Sequence, residues 1–243
     1  MSDLKPKIDA SKYKLNTEQV SVKHSLSNHS HISLEQLSSE FNRFEQIDNT
    51  DTLHIQALSD LFPKYLISEC NKTDFHLFMA MSRYDRKNNT YVIGCFDNQH
   101  FEFKLISYKW RYKDGIKWKT RAGTSPNSTP LIRIYTDDRP VYVIEGHRDS
   151  ATAILLGLDF IMLPYAGYKI KENISLVEEV SDRRLIFLVE DEAAYKCMLN
   201  VANILQTTAR DIELKSLVSH VGKVDLSDYV QRFNSIKEVI NDL

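Results

Sequence analysis

The chain has 243 residues, of which 42% are hydrophobic and 26% are charged, and its formal net charge is −2. This length is typical of one or two domains with a hydrophobic core, and the composition excludes collagen-like, low-complexity and wholly disordered proteins. No apolar run approaches the roughly 18 residues needed to span a bilayer, and the first residues lack an apolar secretory core. We therefore predict a cytoplasmic protein without a membrane partner.

The N-terminal part of the chain divides into a polar segment and a predicted helix. Residues 1–32 show neither a helical nor a strand period, and we interpret them as a flexible polar tail. Ser33 and Gln36 fit a capping box at the start of a helix. Apolar residues then recur every three or four positions and predict one buried helix face: Leu34, Leu37, Phe41, Phe44 and Ile47.

Residues 75–112 are rich in aromatic and β-branched residues interrupted by turn signals, which predicts an antiparallel meander. Its last hairpin, residues 104–121, is here called the basic ribbon, because it carries seven basic residues against the single Asp114. Basic groups neutralise phosphates and aromatic rings stack on bases. We therefore predict contacts with single-stranded DNA from Lys109, Trp110, Arg111, Lys117, Trp118, Lys119 and Arg121. The alternative is that the rings belong to the core and the charges to a solvated sheet face.

From residue 139 onward, short buried strands alternate with helices. Strands are predicted at 141–144, 160–163, 185–189 and 212–218, and helices at 149–156, 192–205 and 226–240. This alternation predicts a parallel sheet flanked by helices. The predicted organisation is thus a tail (1–32), an N-terminal α+β module that binds nucleic acid (33–138) and an α/β domain with a C-terminal helix (139–243).

Acidic residues follow the predicted strands at successive carboxyl ends, where open α/β sheets bind their ligands. They are Glu145 and Asp149 after the first strand, Glu190, Asp191 and Glu192 after the third, and Asp225 and Asp228 after the fourth. Carboxylates that meet at one edge repel one another unless a cation lies between them, and hard oxygen ligands suit Mg²⁺ or Mn²⁺. The alternative is that individual acids only cap helices or favour their first turns.

Residues 141–157 resemble the opening motif of the Toprim domain, which primases, topoisomerases and some nucleases share. The likeness consists of E-G-x-x-D, from Glu145 to Asp149, a helix of small residues, and Gly157 before the next strand. Residues 185–196 resemble the second Toprim motif, normally D-x-D, and residues 225–229 resemble the acidic segment that ends many phage and plasmid primases. The resemblance covers roughly residues 139–232 and implies a Toprim-like parallel sheet preceded by the smaller module with its basic meander.

The resemblance also implies roles for the acids. Glu145 corresponds to the general acid or base and Asp149 to a supporting acid. The implied ligands of Mg²⁺ or Mn²⁺ are Glu145, Glu190, Asp191, Glu192 and Asp225. The second motif departs from the family pattern, because aligning the strand end gives E-x-E, whereas aligning residues 191–194 instead places Val189 at the first acid. We prefer the first alignment, which keeps the acids at the strand end.

The resemblance implies a primase-like nucleotidyltransferase in DNA replication that binds single-stranded DNA and nucleoside triphosphates and makes short primers. The alternatives are a Toprim nuclease, or a catalytically degenerate Toprim subunit that binds DNA in a replication complex. Cys70, Cys95 and Cys197 stand far apart without a C-x-x-C pair, and the chain has no G-x-x-x-x-G-K-[ST] loop. A primase of this kind therefore needs partners for template recognition and unwinding: a separate zinc-module protein and a replicative helicase.

Overall fold

The computed structural model describes residues 32–97, 104–111, 118–124, 131–135, 138–165, 168, 180, 182–206, 211–217 and 224–243. The predicted tail, apart from Ile32, lies outside the described residues, as does Lys117 of the basic ribbon. None of the helices in the described part of the chain is long and apolar enough to cross a membrane.

The first helices pack on the two faces of the antiparallel sheet, the first of them on one face and the next three on the other. They are α1 (Leu34–Phe41), α2 (Thr52–Ser59), α3 (Lys64–Glu69) and α4 (Lys72–Met81). The predicted cap of α1 is confirmed, since the Ser33 hydroxyl accepts a hydrogen bond from the Gln36 amide at 3.1 Å. The predicted continuation of its apolar face to Ile47 is wrong: the helix ends at Phe41, and the following residues turn into a short strand. That strand pairs with residues 83–84, and this pairing holds the backbone extended. The pairing outweighs the helical spacing of the apolar residues.

The antiparallel meander contains β1 (Glu45–Gln46), β2 (Ser82–Asp85), β3 (Thr90–Asp97), β4 (Lys104–Arg111) and β5 (Trp118–Thr120), which are neighbours in that order. The sequence placed the start of the meander at residue 75, but residues 75–81 belong to α4. Asn71 explains the difference, because its side chain accepts a hydrogen bond from the Asp74 amide and caps α4. The aromatic residues that come after this cap are therefore helical. The meander itself is confirmed from Ser82 onward.

The second sheet has the strand order β10-β9-β7-β8-β6. Its strands are β6 (Leu131–Arg133), β7 (Val141–Glu145), β8 (Asp159–Leu163), β9 (Arg184–Val189) and β10 (Asp211–Ser216), and its main helices are α5 (Gly146–Leu155) and α6 (Glu192–Leu205). All neighbouring pairs are parallel except β6 with β8. The predicted fold class is confirmed: a sheet of mainly parallel strands flanked by helices, preceded by an antiparallel sheet.

Helices cover both faces of the second sheet, because successive side chains of a strand point to opposite faces. On β7, Val141 and Val143 pack with the apolar side of α6, whereas Tyr142 and Ile144 pack with α5. The cluster around α5 also takes in residues of the antiparallel sheet, including Tyr84, Tyr91 and Ile93. The division of the chain at residue 138 stays a prediction.

The predicted closing helix at 226–240 is divided into shorter pieces. They are α7 (Leu226–Tyr229), a 3₁₀ turn (Val230–Arg232) and α8 (Ile236–Asp242). Phe233 has an extended backbone between them, and the Ser235 side chain accepts a hydrogen bond from the Glu238 amide at 3.2 Å. A second cap, at Ser235, therefore starts α8. The apolar period over residues 226–240 is continuous and could not indicate this interruption.

A buried ion pair joins α4 to the second sheet beside the end of α5. Arg133 donates to the Asp74 carboxylate and to the Leu158 carbonyl, and both charged side chains are buried. Gly157 has φ +69°, and a Cβ there would lie 3.2 Å from the Asp74 Oδ2. Glycine is therefore required on two grounds, a left-handed backbone and a close approach, where the chain leaves α5 and enters β8.

Candidate acidic site and nucleic-acid interface

The second sheet has a topological switch point between β7 and β9. The chain passes from β7 to β8 on one side and from β9 to β10 on the other, so the two connections diverge. A switch point of this kind leaves a crevice outside the carboxyl ends of the two strands. Glu145 is the last residue of β7 and Glu190 follows β9 directly, so two predicted site residues lie at the mouth of the crevice.

Glu145 lies at an open turn. Its carboxylate makes no capping bond to α5, and within the described part of the chain it forms no hydrogen bond or ion pair. The next residue, Gly146, has φ +81°, and a Cβ built there would meet no atom within 4 Å. The left-handed backbone explains the glycine of the E-G-x-x-D motif. Glu145 is therefore half-buried, and no group in the described part of the chain engages its carboxylate.

Asp149 is buried and fully engaged with a distant segment of the chain. Its Oδ2 accepts a hydrogen bond from the Leu226 amide at 3.0 Å, and its Oδ1 accepts from the Ser227 amide at 3.1 Å and hydroxyl at 2.7 Å. Burial raises the pKa of the Asp149 carboxyl well above its usual range, and the nearby charges of Asp225 and Glu190 raise it further. Asp149 thus holds the start of α7 against α5.

Arg148 supplies positive charge at the same place. Its Nη1 lies 3.2 Å from Asp225 Oδ2 and its Nη2 lies 2.8 Å from Asp228 Oδ1. The other oxygen of Asp225, Oδ1, accepts a hydrogen bond from the Asp228 amide at 2.8 Å and caps α7. Burial lowers the pKa of Arg148, but Asp225 and Asp228 raise it, and the net effect is an increase. Asp225 therefore has a partner for each of its oxygens.

The acids of the second motif point in different directions. Glu190 is buried, and its carbonyl accepts the Val224 amide at 3.1 Å, which brings the Asp225 segment alongside β9. Asp191 caps α6 through a 2.7 Å bond from the Ala194 amide. Glu192 is exposed and pairs along the helix with Lys196 at 3.2 Å.

The metal ligands implied by the resemblance stay a prediction. Among the residues that the structure describes, no group of three or more His, Cys, Asp and Glu side chains is placed to hold a metal ion. The physical reason is local: Asp191 and Asp225 cap helices, Glu192 faces solvent, and Asp225 already contacts a guanidinium. Glu145 and Glu190 end neighbouring strands at the crevice. Mg²⁺ is usually held by one or two carboxylates together with substrate phosphates and water, so a site of that smaller kind stays a prediction.

The basic ribbon presents its charges on both faces of the antiparallel sheet. Lys109 is paired with Thr120, so it shares a face with Thr120 and with Trp118 two residues earlier. Lys119 and Arg121 lie on the opposite face. Alternation along β5 therefore divides the predicted contact residues between the two faces of the sheet.

The aromatic residue Trp118 lies against the hydrophobic core. Its ring makes an edge contact with Tyr91 at a centroid distance of 6.2 Å, and the side chain is half-buried. Such a ring stabilises the sheet and offers only part of its surface to a base. Trp110 and Arg111 belong to β4, but their side chains lie outside the described part of the structure, as Lys117 does entirely.

Arg121 is paired with α1. Its Nε and Nη2 lie 2.6 Å and 3.0 Å from the two carboxylate oxygens of Glu40, and hydrogen bonding to Arg121 lowers the pKa of Glu40. A two-pronged pair of this kind positions the guanidinium and neutralises it. Nothing in the sequence predicted this contact, because Arg121 and Glu40 are 81 positions apart.

We expect Glu40→Gln to strengthen binding to single-stranded DNA, because it leaves the Arg121 charge uncompensated. If Arg121 then contacts a phosphate, the slope of log affinity against log salt should steepen by about 0.7. The measurement is fluorescence anisotropy of a labelled oligonucleotide over a range of KCl concentrations.

The matched control for that variant is Glu45→Gln. Glu45 forms a similar pair, with Arg86 at 2.6 Å, but outside the basic ribbon. Glu45→Gln makes the same change in net charge, and it should leave the slope of log affinity against log salt unaltered. Equal slopes in all three proteins would remove Arg121 from the interface.

The comparisons with known proteins bear on the fold. No protein-family model matches the chain, and no curated protein does. Three solved structures are similar to it, each over 86% of this chain. They are a DnaG catalytic core (14% identity, TM-score 0.52, 78% of that chain), the Aquifex aeolicus primase with its zinc-binding and RNA polymerase domains (12%, 0.50, 61%) and a DNA primase domain from Pseudomonas aeruginosa (11%, 0.50, 77%).

At these identities the likeness is one of fold. The chain has the architecture of primase catalytic cores, and it spans about three fifths of the Aquifex primase structure. The similarity extends over both sheets, because it covers most of the chain.

Proposed function

We propose that this chain is a primase-like nucleotidyltransferase of the Toprim type that acts in DNA replication. The observation that carries the proposal is the position of Glu145: an available carboxylate at the switch point of a sheet whose whole architecture is similar to primase catalytic cores. The E-G-x-x-D motif that begins with this residue supports the Toprim assignment.

In the proposed reaction, Glu145 is the general base. It takes the proton of the primer 3′-hydroxyl while that oxygen attacks the α-phosphorus of a nucleoside triphosphate. A phosphodiester bond forms, the bond to the β-phosphate oxygen breaks, and pyrophosphate leaves with the electron pair. Positioned general bases contribute about 10²- to 10⁴-fold to such rates. Mg²⁺ or Mn²⁺ is the cofactor expected from the resemblance; Glu145 and Glu190 would hold it together with phosphates of the nucleotide, and it would stabilise the negative charge on those phosphates.

The antiparallel sheet is proposed to hold the template. Lys119 is exposed on one face and Lys109 half-buried on the other, so a single strand that lies on one face meets only part of the predicted ribbon. Phosphate contacts of this kind give affinity without sequence preference. A zinc-module protein and a helicase remain proposed partners.

A catalytically inactive, DNA-binding subunit is the second candidate. Its support is the contact between Arg148 and Asp225, together with the missing three-carboxylate group among described residues. A subunit of this kind would keep the basic ribbon and the fold while binding template for another enzyme.

One incubation separates these functions. Purified protein is mixed with end-labelled single-stranded DNA, four nucleoside triphosphates and either Mg²⁺ or Mn²⁺, and products are followed from both labelled DNA and labelled triphosphates. We expect short new products from the triphosphates. Shortened DNA would instead identify a nuclease, and intact, bound DNA without product would identify the binding subunit.

A further inference from the structure

Arg148 bridges two carboxylates in the way that a bound cation would. Its two terminal nitrogens contact Asp225 and Asp228, which lie 77 and 80 residues further along the chain. One positive group thereby offsets one of two negative charges at the position where the sequence predicted part of a metal site.

The bridge differs from an ordinary surface ion pair. The side chains of Arg148 and Asp225 are 24% and 23% exposed, whereas Arg184, which bridges Asp211 and Glu213 at the other end of the sheet, is 51% exposed. Exposed pairs contribute little because water and salt screen them. The contact of Arg148 with Asp225 is therefore shielded, whereas Asp228, the second partner, is 54% exposed and interacts more weakly.

The bridge is also held in place by the fold. Asp149, the next residue, is fixed to Leu226 and Ser227 by its three hydrogen bonds, so α5 and the start of α7 cannot shift independently. Within the described part of the chain, three acids act on Arg148, namely Asp149, Asp225 and Asp228, and Glu190 acts on the adjoining Asp149. Without a cation these carboxylates would repel one another.

We propose that Arg148 is a built-in cation that takes the place of a divalent metal ion between Asp225 and Asp228. This part of the acidic edge is then partly neutralised by the protein itself, and the guanidinium keeps Mg²⁺ or Mn²⁺ from binding there. The inference rests on the acidic site of the proposed function, but it does not require that the chain synthesise primers. A metal ion at Asp225 would lie a few ångströms from the guanidinium of Arg148, and the repulsion between these two cations opposes its binding.

The test measures Mn²⁺ binding by electron paramagnetic resonance on the full chain, without DNA or nucleotides. Arg148→Gln should gain one Mn²⁺ per chain, with affinity at least about tenfold tighter than the original protein shows, because a unit positive charge a few ångströms away has been removed. Adding Asp225→Asn to that variant should abolish the gained site.

The matched control is Arg184→Gln, which removes the other arginine that bridges two carboxylates. It should leave Mn²⁺ binding unchanged, because its carboxylates are exposed and separate from the acidic edge. An equal gain in Arg184→Gln, or no gain in Arg148→Gln, would overturn the proposal.

Asp225→Asn in the otherwise unchanged chain gives an independent test that does not depend on the folding of Arg148→Gln. If Arg148 holds the place of the ion, this substitution leaves Mn²⁺ affinity as it was. A loss of threefold or more would make Asp225 a metal ligand and the proposal wrong. Failure of primer synthesis alters neither result, so the two proposals fail separately.

Discussion

The Glu145→Gln variant is expected to incorporate nucleotides at least roughly a hundredfold more slowly than the original chain, because an amide cannot accept the proton of the attacking hydroxyl. Its free energy of unfolding should stay within about 0.5 kcal/mol, since the side chain is half-buried and makes no hydrogen bond to α5. The measurements are the rate of labelled-triphosphate incorporation and a urea unfolding curve.

Glu35→Gln is the control for the loss of one carboxylate. Glu35 is exposed in the first turn of α1, far along the chain from the crevice, so the variant should keep its rate. DNA affinity should be unchanged in both variants. Full activity of Glu145→Gln would remove this residue from the proposed reaction and direct attention to Glu190.

Replacing Asp149 by Ala is expected to destabilise the protein by about 2 to 5 kcal/mol, because it leaves the amides of Leu226 and Ser227 buried without an acceptor. The stability of Asp149→Asn should lie between those of the original protein and Asp149→Ala. The Asn side chain keeps one acceptor oxygen, but it turns an NH₂ donor toward the second backbone amide. The measurement is urea unfolding, with hydrogen exchange of residues 224–232 as a local probe.

Asp191→Ala serves as the comparison for Asp149. It removes a carboxylate that accepts one amide at a helix start, so its cost should be only about 1 kcal/mol. Equal costs for the two alanine variants would show that Asp149 does no more than an ordinary cap. The expected excess identifies it as the residue that holds α7 to α5, a role that the sequence resemblance did not indicate.

Local patterns predicted most of the second sheet. The strand at Val141 ends at Glu145 as expected, and α6 covers 192–205 as the apolar period indicated. These elements follow from the alternation of buried residues, which short segments carry by themselves. The aromatic run at 75–81 was assigned to a strand and forms a helix, because a short apolar run satisfies both periods until a cap decides between them.

Order along the chain also placed the acids correctly at the carboxyl ends of the strands, but it could not assign their partners. Arg148 carried a signal, since it stands inside the E-G-x-x-D motif, yet its contacts with Asp225 and Asp228 come from a segment 77 to 80 residues away. For Arg121 the sequence contained no signal of its partner, because Glu40 lies 81 residues earlier.

The sequence by itself therefore determined the fold class and the positions of Glu145 and Glu190 directly after their strands. The tertiary structure alone decided which acids are engaged, which basic groups are neutralised and which face of the meander each charge occupies. The physical reason is that periodicity acts over a few residues, whereas charge pairing depends on distances between segments that meet only when the sheets have packed.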